Sequence, residues 1–440
     1  MTRSLLLLPL LCAIANAQVS APLSEPPPLP KLVWSYLEVE SAAEERRIYK
    51  ELHARKDLTA EKLHAILDAG PARPTPQAGT FAGRPFTIPG VKRGTTYTIG
   101  IPEGLKPGQR APVWITIHGT GGTERWAFRD VWRFLGPKGV IVIAPTEAKD
   151  LHGQGWGYRH RERSLHMDLL DELARTLPLD LSRVYVGGLS RGGHAAFDLG
   201  MRYSDRIAGA MPVIGAVQQR DRALLVNLHS LRLHSMNGEQ DQPALVEGAR
   251  KAIARLKELG YPTTALFDPN RGHGSFADHY PVVISQLLER RRDPAPKKIH
   301  FAVRDLTYGR HYWVRVTGLH KSAYKPGRPV KIPGVGRMNE AQKLKAYLAH
   351  IEEHTPWIRA EIAANKVTVS TKRVTRFELF LPASLIDVTR PVQVVVNGRT
   401  RFKKKTIRPP TPAKALRLLR AFGTADPAFR FVDKLPLTVR

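Results

Sequence analysis

Ser190 stands alone between two glycine pairs in "VYVGGLSRGGHAAF", residues 184–197. An apolar, strand-like run stops at Gly187-Gly188, and helix-forming residues begin after Gly192-Gly193. The pattern Gly188-Leu189-Ser190-Arg191-Gly192 has the G-x-S-x-G spacing of a nucleophile elbow. A hydroxyl projected from such a turn needs strained backbone angles, and glycines two positions away leave room for them. A plain glycine-rich turn is the alternative, and the strand before and helix after favour the nucleophile. An alcohol attacks poorly at neutral pH, so a base must take its proton. His273, between glycines in "DPNRGHGSF", is the best placed base, with His279 as a nearby competitor better read as a surface or packing residue. His118, His229 and His234 lie on or beside strands and read as structural. The base in turn needs a carboxylate to hold its tautomer. Asp241 in "SMNGEQDQPAL" is the candidate, Glu239 the alternative, and a helix cap near Pro243 the competing use of Asp241. Asp198 and Asp268 fit less well, one along the helix after the elbow and the other at the edge of the final strand.

Acyl transfer also needs amide donors for a developing oxyanion. The amide of Arg191 is one. Gly119 or Thr120, in the loop "ITIHGTGG" of residues 115–122, supplies the other. No Lys-Ser/Thr pair follows this loop, which argues against a phosphate cradle. Trp156 and Tyr158, in "GQGWGYRHRER", would wall a substrate pocket or simply anchor their loop, and His194 is a third pocket candidate. Arg159, Arg161 and Arg163 either receive an anionic substrate or are solvated.

The elements that must position these residues follow from hydrophobic periodicity. "TTYTIGIP", "PVWITIH", "VIVIAP", "VYVGG", "AGAMPVIG", "LRLHSMNG" and "TTALFD" read as strands. Amphipathic segments such as "RWAFRDVWRFLGPKG" and "PALVEGARKAIARLKELG" separate several of them. Strands alternating with helices predict a doubly wound, mostly parallel α/β sheet over residues 78–293. A small helical appendage is expected over 33–72, its second helix started by Thr59 and ended by Gly70. A proline-rich linker (18–32) precedes it. Beyond "RRRDPAPKK", short alternating strands with turn signals such as Asn397-Gly398 predict a β-rich, sandwich-like domain over 297–440, interrupted by one helix, "EAQKLKAYLAHIEEH".

With these motifs together, residues from about 80 to about 290 resemble the α/β-hydrolase superfamily. The likeness is to its secreted esterase branch, the polyhydroxybutyrate-depolymerase and feruloyl-esterase-like group, with related prolyl-oligopeptidase-like hydrolases. It is carried by "YTIGIPEGLKPGQRAPVWITIHGTGG", "LDLSRVYVGGLSRGGHAAFDLGMRYSDRIAGAMPVIG", "HSMNGEQD" and "RGHG". The order Ser190, Asp241, His273 is that of this superfamily. The resemblance implies a serine hydrolase with Ser190 as nucleophile, Asp241 as acid and His273 as base. "HSMNGEQD" departs from the commoner pattern of the branch, which keeps Glu239 open as the acid. "YWVRVTG" and "RPVQVVVNGRTRF" resemble a domain appended to some bacterial secreted hydrolases.

Composition bounds the remaining choices. The net charge is +29, and 30 of the 68 Lys+Arg against only 9 of the 39 Asp+Glu fall in residues 297–440. That basic third suits an anionic polysaccharide or cell-surface contact, or is a solvated surface. No zinc-finger, helix-turn-helix or RNP pattern accompanies the charge, so nucleic acid is not expected as a partner. Arg3, the apolar run "LLLLPLLCAIA" and Ala15-Asn16-Ala17 read as a signal peptide over residues 1–17, hence an exported, periplasmic or extracellular protein. The run is shorter than the ~20 residues a membrane span requires. The one cysteine, Cys12, lies inside it, which leaves thiol catalysis and cysteine-ligated zinc without ligands. Neither a cofactor nor a metal is implied. The expected activity is cleavage of a small-molecule or polymer carboxylic ester. A peptidase on the same triad, or a non-catalytic surface-binding protein using the basic region, are the alternatives.

Overall fold

The computed structural model describes residues 27–90, 94–146, 160–404, 407–424 and 426–439. The expected signal peptide and most of the proline-rich linker lie outside them. Three helices come first, α1 (Leu29–Glu38), α2 (Ala42–Ala54) and α3 (Ala60–Ala69). The linker reading ran too far, because α1 begins inside it, with Pro28 at the N-cap and Pro30 in the first turn. Proline is tolerated there, since first-turn amides have no intrahelical acceptor. Thr59 caps α3 by accepting from the Lys62 amide at 3.2 Å, and Gly70 ends it at φ 75°.

An eight-stranded sheet follows, built from β1 (Gly79–Phe86), β2 (Thr95–Ile101), β3 (Ala111–Ile117), β4 (Ile141–Pro145), β5 (Leu179–Leu189), β6 (Gly209–Val213), β7 (Arg232–Gly238) and β8 (Thr263–Asp268). Its spatial order is β1-β2-β4-β3-β5-β6-β7-β8. The β1/β2 and β2/β4 pairs are antiparallel and the remaining pairs parallel. This is the α/β-hydrolase arrangement. Every residue of β3, β4 and β6 is buried, as both faces of a parallel sheet must be. The helices α4 (Glu124–Leu135), α5 (His160–Ala174), α6 (Arg191–Tyr203), α7 (Pro243–Glu258) and α8 (Tyr280–Leu288) supply that cover. One core holds Ile115, Val186, Phe197 and Leu225. A second, built on Trp114, Tyr185, Met211 and Tyr280, takes side chains from α4 and α8.

The C-terminal region contains β9 (Lys298–Ala302), β10 (Arg310–His311), β11 (Val314–Leu319), α9 (Glu340–His354), β12 (Trp357–Ala363), β13 (Lys366–Lys372), β14 (Val374–Pro382), β15 (Val392–Val396), β16 (Arg399–Lys404), α10 (Pro412–Phe422) and β17 (Phe431–Thr438). A four-stranded sheet, β10-β11-β14-β17, and a five-stranded one, β16-β15-β13-β12-β9, share a single core. That core also takes Val33, Tyr36, Ile48, Leu52 and Leu63, so α1–α3 are one packing unit with the C-terminal sheets rather than a free-standing appendage. The Arg420 guanidinium of α10 donates to the carbonyls of Tyr36 at 2.7 Å and Val39 at 2.9 Å, satisfying the C-terminal end of α1.

Candidate active site

Ser190 sits between β5 and α6 at φ 58°, ψ −116°. That backbone costs a side-chain-bearing residue roughly 1–3 kcal/mol. The crowding that enforces it is visible at the glycines. A Cβ on Gly188 would lie 2.5 Å from the Ile117 carbonyl oxygen, and one on Gly192 only 2.1 Å from the same atom. β3 and β5 pair with Ile117 opposite Gly188, so the loop after β3 passes directly beside the turn.

His273 Nε2 lies 2.9 Å from Ser190 Oγ. Its Nδ1 lies 3.0 and 2.9 Å from the two carboxylate oxygens of Asp241. A carboxylate only accepts, so Nδ1 carries the proton and Nε2 presents its lone pair to the serine. The Asp241 side chain is 2% exposed and that of His273 is 42% exposed. The relay therefore runs from a buried acid to an imidazole open to solvent. Asp241 is held in turn by the Gln242 amide, which donates to Oδ1 at 2.6 Å. Glu239 points elsewhere, to an exposed ion pair with Arg250. His279 caps no part of this relay; it lies 3.4 Å from Asp278, at the start of α8.

The loop after β3 brings Gly119 against the elbow. A Cβ there would come 3.4 Å from Ser190 Cβ and 3.2 Å from the Leu189 carbonyl oxygen. Thr120 follows it and is exposed. His118 is fully buried with Nδ1 2.8 Å from the Gly119 oxygen, which fixes this loop. Arg191 opens α6, so its amide faces out of the helix's positive end, beside the serine. His194, one turn along α6, is half-buried and accepts from the Ala216 amide at 2.7 Å, tying down the segment after β6. Burial, then Arg191 and His273, hold its pKa below the ordinary histidine value. Trp156 and Tyr158, and Arg159 beside them, lie outside the described residues. Arg161 and Arg163 stand on α5; Arg163 is turned away to Asp198, with which it pairs. His234 bonds Thr264 at 2.6 Å between β7 and β8, and His229 packs at an interface with His311.

Arg271 escaped sequence reasoning. It donates to Asp268 at 2.8 Å, to the Ser275 carbonyl at 2.8 Å and to the Asp278 carboxylate. Its own carbonyl accepts from the Gln240 amide at 2.8 Å. The side chain therefore ties the end of β8 to the approach to α8, and the main chain of the same residue holds the backbone beside Asp241, with His273 inside the bracket. The signal was the spacing of Asp268 and Asp278 either side of the histidine. Among the described residues, no three His, Cys, Asp or Glu cluster as metal ligands, and no helix is long and apolar enough to cross a membrane.

No protein-family model and no curated protein matches the chain. Among solved structures it is similar to a thermostable esterase at 19% identity and TM-score 0.42, over 48% of this chain and 63% of that one, which is less than two thirds of its length. It is similar to a fluorophosphonate-binding serine hydrolase of Staphylococcus aureus at 15% identity and TM-score 0.41, over 49% of this chain and 98% of the other. It is also similar to an acylaminoacyl peptidase of Pyrococcus horikoshii at 14% identity and TM-score 0.36, over 47% and 38%.

Proposed function

We propose that this chain is an exported serine hydrolase that cleaves carboxylic esters through an acyl-enzyme intermediate. The observation that carries the proposal is the unbroken run of hydrogen bonds from Asp241 through His273 to Ser190. In this reading His273 Nε2 takes the hydroxyl proton as Ser190 Oγ attacks the ester carbonyl. Asp241 stabilises the imidazolium that forms. The amides of Arg191 and of Gly119 or Thr120 receive the oxyanion, each donor of this kind being worth about 10²–10³ in kcat. The alcohol departs with the proton from Nε2. Water then repeats the sequence and releases the acid. An ester is favoured over an amide for two reasons. The imidazole is open to solvent, and an alcohol leaves more readily than an amine, so the site need not enclose and distort its substrate. Export rests on residues 1–17, and the basic region after residue 297 is assigned to contact with an anionic surface.

The test is labelling with a fluorophosphonate probe, followed by hydrolysis of short-acyl, feruloyl and methyl-glucuronate esters beside matched amides. Labelling and ester turnover that both vanish in Ser190→Ala support the proposal. Labelling without ester turnover, but with amide cleavage, replaces it by a peptidase. No labelling at all makes the chain a binding protein.

A further inference from the structure

A cavity of about 350 Å³ opens between the catalytic sheet's outer helices and the C-terminal region. Five arginines and two aspartates line it. Three of the arginines are committed. Arg163 and Arg202 both pair with the buried Asp198, and Arg304, whose side chain is 4% exposed, pairs with Asp221 and donates to the Arg220 carbonyl at 2.7 Å. Arg220 and Arg328 have no carboxylate in ion-pair reach among the described residues; Arg220 reaches only Gln218, at 2.9 Å. Of the two acids, Asp305 is spent on capping a turn, through the Thr307 amide at 2.9 Å. Positive charge is therefore in excess inside a partly enclosed space. Asp221 registers this field. Burial would raise its pKa, yet Arg304, Arg202, Arg163 and Arg220 together hold it below the ordinary value. Arg304 is pushed below its own ordinary value by burial and by Arg202, against the pull of Asp221.

The aromatic groups narrow the ligand. The Tyr308 ring carries the guanidinium of Arg163 on one approach and that of Arg202 on another, at 5.9 and 5.6 Å. Arg304 sits 5.4 Å from the Tyr324 ring. Those contacts hold the arginines in place, and the cavity offers a ligand N–H and hydroxyl donors. The hydroxyls of Tyr324 and Tyr347 stand 3.5 Å apart at its wall. We propose that this cavity is an oxyanion-binding site, taking a phosphate, sulfate or carboxylate group on the spare guanidinium forks of Arg220 and Arg328. Planar forks match such groups two bonds at a time. The volume suits a small ligand. Arg202 lies twelve positions along α6 from Ser190, about 18 Å at ~1.5 Å per residue, so the site is separate from the triad. Both halves of the molecule build it, Arg220 from one and Arg328 from the other, so a bound anion would clamp them together.

The experiment titrates the full chain with sulfate, phosphate and D-glucuronate, against sodium chloride at matched ionic strength, by calorimetry and thermal melting. Saturable binding is expected, with a rise in melting temperature that chloride does not give. In Arg220→Gln/Arg328→Gln affinity falls by about tenfold or more, as loss of two charge-assisted partners requires, while the anion-free melting curve stays near wild type because neither residue holds an ion pair. Stronger binding of glucuronate assigns the site to an acidic sugar, and stronger binding of sulfate or phosphate to an inorganic anion or its ester. Equal responses to chloride, or equal affinity in the double variant, overturn the proposal.

Discussion

At the scale of single residues, two acids compete in "NGEQD", and geometry separates them. Asp241 bonds His273 Nδ1, whereas Glu239 reaches only exposed Arg250. Asp241→Asn would offer His273 an amide and favour the wrong tautomer, lowering kcat by about 10⁴. Glu239→Gln removes a surface ion pair worth about 0–1 kcal/mol, and kcat should stay within about twofold. Steady-state hydrolysis of a p-nitrophenyl ester reads both; equal losses would break the assignment. Arg271→Gln should lower kcat by about tenfold with KM little changed, because a loosened histidine loop samples the attacking geometry less often. Arg271→Lys, keeping one charge but not the fork, should recover part of it. The convergence of Ser190, His273 and Asp241 was legible from residue type, loop context and chain order. Arg271 left only the spacing of Asp268 and Asp278 as a signal, because its three acceptors converge only when the turn between β8 and α8 has closed.

At the scale of elements, the elbow depends on two strands and a helix meeting without room for a methyl group. Gly192→Ala puts a Cβ 2.1 Å from a backbone oxygen of β3. No flexible side chain can yield there, so either the helix or the loop after β3 must move, at roughly 1–3 kcal/mol or more. Gly274→Ala, beside His273 but facing open space, is the control. Thermal melting should separate them, with Gly192→Ala well below wild type and Gly274→Ala close to it; coincident curves would mean the elbow is not sterically enforced. The same contrast explains which elements were readable. β3 and β4 are continuous apolar runs, so they stand out. β1 is almost wholly exposed and carries Gly79, Gly83 and Pro85, so it lacks alternation and was missed. β17 was hidden by Pro436, which only an edge strand tolerates. "HYWVRVTG" alternates like one continuous strand but is broken at Tyr312, whose φ is 51°, into β10 and β11. β12 and α10 did carry signals, a buried alternation in "WIRAEIA" and a Thr411 cap with Gly423 at the end.

At the scale of the whole molecule, sequence periodicity says which faces are apolar but not which regions share them, so the docking of α1–α3 onto the C-terminal sheets was not legible. Nor was the joint between the region of the eight-stranded sheet and the C-terminal region, where polar and aromatic side chains meet. Asn227 donates to the Ala302 carbonyl at 3.0 Å and accepts from its amide at 2.7 Å, extending the edge of β9. Beside it, His229 Nε2 meets His311 Nε2 at 2.9 Å, with Ser230 on the far nitrogen of one ring and Ser204 on that of the other. Phe301 stacks on His311, while Tyr261 edges against His229 and Tyr312 lies tilted against it. One imidazole of such a pair must be neutral to accept, so two charged rings cannot keep the bond. Burial holds His229 at about 4, and burial with His229 and His300 holds His311 well below its ordinary value. Folded values below unfolded ones mean that the unfolded chain binds more protons in between. The stabilisation is therefore complete above about pH 6.5 and is lost as pH falls toward about 4, a change on the order of 3 kcal/mol for His229 alone. His166, His194, His234, His300 and His350 are also depressed and add to the same slope, whereas Asp130 and Asp168, raised by burial, oppose it. The variant His229→Gln leaves all seven in place. Its melting temperature should fall less than that of wild type between pH 7.5 and pH 5.0. Parallel falls would show that the histidine pair does not govern how the two halves hold together in acid.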